Sequence, residues 1–162
     1  MIKFLLSLVM FSSLMMAKSY QFSEVRYSDA LSKSINLHGI ITFGDESLDV
    51  FYEKSKNRLV YEDEELFMYE NEEDIDLGES ERVKIVQYFE IIILLYEGDK
   101  SRLQENFTIK TEGTKTLLLP KDEMSNYISK IKLVHEKEEL KSLKLYLTND
   151  DTIKISIEDE VR

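Results

Sequence analysis

From residue 18 onward almost every apolar run in this chain alternates with polar residues at a period of two, and one run breaks the pattern outright. Leu48, Val50 and Tyr52 fall on one side of such a pattern, as do Ile41 and Phe43, Leu59 and Tyr61, Phe107 and Ile109, and Leu117 and Leu119. The C-terminal third is the most regular. Ile131, Leu133 and His135 alternate with Lys130, Lys132 and Val134, and Leu143, Leu145 and Leu147 alternate with Ser142, Lys144 and Tyr146. Ile153, Ile155 and Ile157 close the series. Strands patterned this way bury one face and wet the other, which is the signature of antiparallel pairing. Gly44-Asp45-Glu46, Lys56-Asn57, Glu112-Gly113 and Asn149-Asp150-Asp151 separate them and predict hairpin turns. No Pro- or Gly-rich linker and no internal repeat interrupts the 162 residues, so a single domain is expected.

The exception is Ser80–Glu97, SERVKIVQYFEIIILLYE. Ile85, Phe89, Ile92, Ile93 and Tyr96 recur at helical spacing, Val86 widens the face, and Gly98 stands where a helix commonly ends. Ser80 is the expected N-cap, with Glu81 in the first turn. Ile91 to Leu95 are apolar all round, so this end must be enclosed on more than one side. The β-branched isoleucines make a strand over 90–96 the rival reading. Shorter helices are predicted at Ser101–Glu105 and, after Pro120, at Asp122–Tyr127. The fold class is therefore α+β.

Residues 1–17, MIKFLLSLVMFSSLMMA, have a basic Lys3, an uncharged apolar run from Phe4 to Met16, and a small residue at Ala17. That is the layout of a cleaved secretory signal. The apolar run would span about 20 Å as a helix, short of the roughly 30 Å hydrocarbon core. Removing it leaves residues 18–162 as the mature domain and, with Lys3 gone, takes the net charge from −11 to −12.

That charge argues against nucleic acid as a partner, which requires a basic footprint. With no cysteine there is no disulfide, thiol nucleophile or thiolate metal site. His38 and His135 form no short-spaced ligand pair, and no Gly-x-Ser-x-Gly, P-loop or dinucleotide fingerprint occurs. Glu73–Glu79 fails as a calcium loop, because aligning Gly78 with the obligatory glycine places Ile75 and Leu77 at ligand positions. The expectation is a protein that is not an enzyme and carries no metal or cofactor. Glu62 to Glu81 holds eleven acids and no base before Arg82, interrupted by the strand-like Leu66-Phe67-Met68-Tyr69. Such a block must point mostly to water. Its alternative use is a docking surface, centred on Glu62, Asp63, Glu64 and Glu65, for a basic partner.

The order of elements resembles a known family. Phe22-Ser23-Glu24-Val25-Arg26 leads to Leu37-His38-Gly39-Ile40-Ile41-Thr42-Phe43, a strand ending in Tyr52, and Arg58-Leu59-Val60-Tyr61. The helix ends Leu94-Leu95-Tyr96-Glu97-Gly98-Asp99, and Leu117-Leu118-Leu119-Pro120-Lys121 precedes the last three strands. This is similar to the outer-membrane lipoprotein carrier family, LolA, in its divergent LolA-like branch. The resemblance implies a strongly curved, open antiparallel sheet, a half-barrel, with helices over its concave side. It further implies a periplasmic, monomeric carrier that moves lipoprotein acyl chains, or another acyl lipid, from an inner-membrane export complex to the outer membrane. Two family features are missing. No amphipathic helix precedes Phe22, and Gly44-Asp45-Glu46-Ser47 stands where the family has an arginine-proline stretch whose arginine holds the lid.

On that resemblance the residues expected to line an acyl cavity are Phe43, Val50, Tyr52, Tyr61, Phe89, Ile92, Ile93, Leu117, Leu119, Leu133 and Leu145. The alternative is a periplasmic adaptor with a filled core that docks its partner through Glu62–Glu65.

Overall fold

The structure, a computed structural model, describes residues 17–161. The expected signal segment lies outside the described residues except for Ala17. Eleven strands form one antiparallel sheet: β1 (Lys18–Ser28), β2 (Lys33–Phe43), β3 (Leu48–Tyr52), β4 (Asn57–Glu62), β5 (Glu65–Glu70), β6 (Glu73–Asp74), β7 (Phe107–Glu112), β8 (Lys115–Pro120), β9 (Ile128–Glu136), β10 (Glu139–Leu147) and β11 (Thr152–Glu160). Their spatial order is β6-β5-β4-β3-β2-β1-β11-β10-β9-β8-β7. The sheet is thus two meanders, β1 to β6 and β7 to β11, zipped together along β1 and β11. Its edges, β6 and β7, are not joined to each other.

Between those two edges the chain runs through α1 (Glu79–Glu97) and α2 (Lys100–Asn106). The helices lie across the mouth of the sheet because they must carry the chain from one edge to the other. The sheet curls around them. Leu66 on β5 and Leu118 on β8 belong to the same buried cluster as Phe89 and Ile92 of α1. In a flat sheet those two strands would be eight spacings, about 38 Å, apart, whereas a helix with its side chains is only about 10–12 Å across. The result is an open half-barrel with helices on its concave side.

Most of α1 forms as the periodicity predicts, but it starts one residue early. Glu79 is the first helical residue and Gly78 the N-cap, with no side-chain cap bond, so Ser80 does not cap the helix. Gly98 ends it in the left-handed conformation (φ 66°), its N–H donating to the Leu94 carbonyl. Ile91, Ile92, Ile93, Leu94 and Leu95 are all buried, as an apolar girdle requires. Asp99 caps α2 by accepting from the backbone N–H groups of Ser101 and Arg102. The segment after Pro120 forms a single 3-10 turn, Asp122–Asn126.

Candidate functional site

The concave face is built from every second residue of the strands. Cross-strand neighbours run Leu118–Ile131–Leu145 on one arm, and Ile41–Val50–Leu59 and Phe43–Leu48–Tyr61 on the other. Of the expected lining residues, Phe43, Val50, Tyr52, Tyr61, Phe89, Ile92, Ile93, Leu133 and Leu145 are brought together in this one buried cluster. Leu117 and Leu119 are a correction. Leu118 pairs with Ile131 and is completely buried, while Leu117 pairs with Lys132 and, like Leu119, is only half-buried on the opposite face. The parity of β8 is set by that pairing, and a slip of one residue moves its whole apolar set to the other side.

Three polar or aromatic clasps hold α1 in the trough. At its C-terminal end the Tyr96 ring stacks on Phe43, with centroids 3.6 Å apart and planes within 5°, and its hydroxyl meets that of Tyr20 at 3.1 Å. Midway, Tyr61 donates to Glu90 at 2.9 Å. Near its start, Arg82 donates to the Leu66 carbonyl at 2.6 Å. Burial, with help from Glu90, pushes the Tyr61 hydroxyl up to about 12, and burial likewise raises that of Tyr96.

Two clefts flank the helix. One, of about 730 Å³, is lined by Asp45, Glu46, Tyr61, Asp63, Glu64, Glu90, Ile93, Arg102 and Tyr127 among others. The second, of about 610 Å³, lies between the start of α1 and β5–β6 and includes Glu64, Glu65, Phe67, Met68, Asp76 and Val86. Only Tyr61 and Ile93 of the expected lining residues border these clefts. Of the acidic docking candidates, Asp63, Glu64 and Glu65 do so, and all four, Glu62 included, are exposed around the β4–β5 turn.

Sequence reasoning missed one group. Glu24 is the one buried charged residue among those described, at 1% exposure, on the same face of β1 as Phe22. Arg26 donates through Nε to its carboxylate, Tyr52 donates to its second oxygen at 2.9 Å, and an Arg26 Nη donates to the Tyr52 hydroxyl at 3.0 Å. Burial opposes the Arg26 charge, but the adjoining Glu24 outweighs it and holds the guanidinium above its ordinary value. The Tyr52 hydroxyl is raised by burial and then by Glu24. The available signal was positional: Glu24 and Arg26 continue the parity of Phe22, so they had to face the core or its rim. Gly39 makes the cluster possible. It lies between Phe22 and Tyr52 in register, and the two rings meet over it edge to face, 5.7 Å apart. A Cβ there would come within 1.8 Å of the Phe51 carbonyl oxygen.

No protein-family model matches the sequence, and no curated protein matches it significantly. Solved structures do resemble it. A LolA superfamily protein of Nitrosomonas europaea superposes over 90% of this chain and 86% of its own, with a TM-score of 0.43 and 9% identity. A domain from Vibrio parahaemolyticus, described as outer membrane lipoprotein-sorting, covers 90% of this chain and 84% of its own, with a TM-score of 0.35 and 6% identity. Similarity at that level says nothing of what the chain binds.

Proposed function

We propose that this protein is a periplasmic carrier that reversibly holds acyl chains, of a lipoprotein or another lipid, between α1 and the concave face of the sheet. The chain would reach the periplasm through its N-terminal segment and work by burial alone, without covalent chemistry. The observation that carries the reading is the seating of α1. A helix that is apolar on every side at Ile91–Leu95 lies in an open sheet whose concave face is apolar but for the Glu24 cluster. Open clefts run beside it. A few clasps hold it in place, so their release would uncover a trough able to receive an apolar chain.

The test is direct. Protein purified from the periplasm is extracted and examined by mass spectrometry for lipid, and titrated with a fluorescent acyl probe. Bound lipid, or probe binding that is lost when Phe43→Cys and Tyr96→Cys are bridged by a short bis-maleimide, supports the carrier. Absence of lipid together with no probe binding refutes it. A second reading is favoured by the acidic lining of the larger cleft, where Asp45, Glu46, Asp63, Glu64 and Glu90 surround one space. In that reading the cleft docks a basic segment of a partner protein. Replacing Glu62–Glu65 with serine then abolishes partner capture, and unchanged capture excludes it.

A further inference from the structure

The Glu24 cluster leaves hydrogen-bond donors unused among the described residues. Arg26 uses Nε on Glu24 and one Nη on Tyr52, while its other Nη meets no acceptor among the described residues and the side chain is 45% exposed. From α1, the Tyr88 side chain packs against the core cluster that contains Phe22 and Tyr52, and its hydroxyl is buried without a partner. Burial, and after it the charges of Glu24 and Tyr52, raise that hydroxyl well above its ordinary value. The other buried side-chain atom without a partner, Asn57 Oδ1, belongs to the cross-strand neighbour of Tyr52. A buried donor left unpaired costs about 1–3 kcal/mol; unlike Asn57 Oδ1, which is itself an acceptor, the Tyr88 hydroxyl and the free Arg26 edge mark a place that an additional acceptor would complete.

The charge balance says which kind. Glu24 already neutralises Arg26, so a second anion would give the group net negative charge beside a carboxylate that is itself 1% exposed, which burial opposes. A neutral acceptor meets no such penalty. Resting on the acyl-carrier reading, we propose that Tyr88 and the free edge of Arg26 anchor the carbonyl oxygen of an ester- or amide-linked acyl chain. Glu24 and Tyr52 act as positioning residues that hold the guanidinium. The apolar trough takes the hydrocarbon, and this cluster reads its linkage and selects acyl esters or amides over free fatty acids.

The test compares the wild-type chain with Tyr88→Phe, which removes only the unpartnered hydroxyl and leaves the ion pair intact. Displacement of a bound fluorescent acyl probe is measured with methyl palmitate, N-methylpalmitamide, palmitate and hexadecane. One hydrogen bond corresponds to a loss of about five- to tenfold in affinity. Tyr88→Phe is expected to bind methyl palmitate, N-methylpalmitamide or both about that much more weakly. Hexadecane should bind both proteins equally, and the melting temperature should hold or rise. A purely structural tyrosine would not weaken binding while sparing stability. Equal affinity of the two proteins for every carbonyl probe overturns the anchor while leaving the carrier in place. So does palmitate binding the wild type as tightly as its methyl ester. If the wild type displaces the probe with none of the four, the carrier reading falls and the anchor with it.

Discussion

The two members of the Glu24–Arg26 pair should be unequally costly to remove. Glu24 is 1% exposed and Arg26 is 45% exposed. Arg26→Met would strand a buried carboxylate whose only remaining donor among the described residues is the Tyr52 hydroxyl. Breaking a buried pair from that side costs about 3–5 kcal/mol. Glu24→Gln is gentler, because the amide oxygen still accepts from Arg26 and the guanidinium can hydrate from its open edge. We expect about 1–2 kcal/mol, the value of a weakened charged hydrogen bond. The double replacement, Glu24→Leu with Arg26→Met, leaves no charge behind and orphans only the Tyr52 hydroxyl. It should be less damaging than Arg26→Met alone and, set against the single Glu24→Leu and Arg26→Met variants, show a coupling energy of at least about 2 kcal/mol. Urea unfolding followed by far-UV circular dichroism gives these numbers. At a slope of about 2 kcal/mol/M, Arg26→Met lowers the midpoint by roughly 2 M and Glu24→Gln by under about 1 M. Equal losses for the two single variants, or a double variant whose loss is the sum of its parts, would refute this view of the cluster.

Three other outcomes follow from the same structure. Burial raises the Tyr52 and Tyr88 hydroxyls, so the folded chain keeps protons that the unfolded chain releases above about pH 10. Stability should then fall as pH rises, by about 1.4 kcal/mol per pH unit for each group. Because the chain has no tryptophan, tyrosinate absorbance reports this cleanly: a steep rise coinciding with loss of the dichroism signal is expected, and a gradual titration with structure intact would contradict it. Leu118→Ala should cost about 2–5 kcal/mol as a fully buried leucine, against under about 1.5 kcal/mol for Leu117→Ala. Gly39→Ala should cost more than about 3 kcal/mol through its clash with the Phe51 carbonyl, a fall of roughly 10 °C in Tm.

The architecture was legible where side chains alternate and obscure where they do not. In β9, Ile131 and Leu133 between lysines leave one possible face. In β8, three consecutive leucines fit either face, and only the pairing of Leu118 with Ile131 decides. The first half of β2, Lys33-Ser34-Ile35-Asn36-Leu37, is too polar to announce a strand, and pairing with β1 along its whole length creates it. Three two-residue turns were also hidden: Asp63-Glu64, Asn71-Glu72 and Lys137-Glu138 each take positive φ at both positions. That geometry usually selects Asn-Gly or Gly-Gly, so acidic and basic pairs gave little warning. The candidate trough was readable because its residues are apolar and periodic. The polar cluster was not, because a charged pair on a strand reads as surface until its parity with Phe22 is taken seriously.

A filled core is compatible with a carrier if the exchange of helix for ligand is nearly balanced. Lifting the C-terminal half of α1, with Tyr88 left in place, exposes Ile91 to Leu95, five side chains now 1–7% exposed. At about 2 kcal/mol each, that is about 10 kcal/mol of lost burial. A sixteen-carbon chain entering the vacated space buries about fifteen methylenes, worth about 12 kcal/mol at 0.8 kcal/mol each. The two figures agree within a few kcal/mol. The closed structure would then be the apolar resting state of a binding site whose own helix stands in for cargo. An acyl chain could displace it without being trapped, and the returning helix could expel the chain. Such a site needs protection while it is open. The acids of the β4–β5 turn and of the larger cleft stand beside the helix, where they oppose adhesion to an anionic membrane surface. Shortening the girdle side chains should therefore tip the exchange. Ile92→Ala, by weakening the competitor and leaving the sheet intact, is expected to lower stability by about 2–5 kcal/mol while tightening acyl-probe binding. Loss of both stability and affinity would show that the Ile91–Leu95 girdle forms part of the binding surface and does not compete for it.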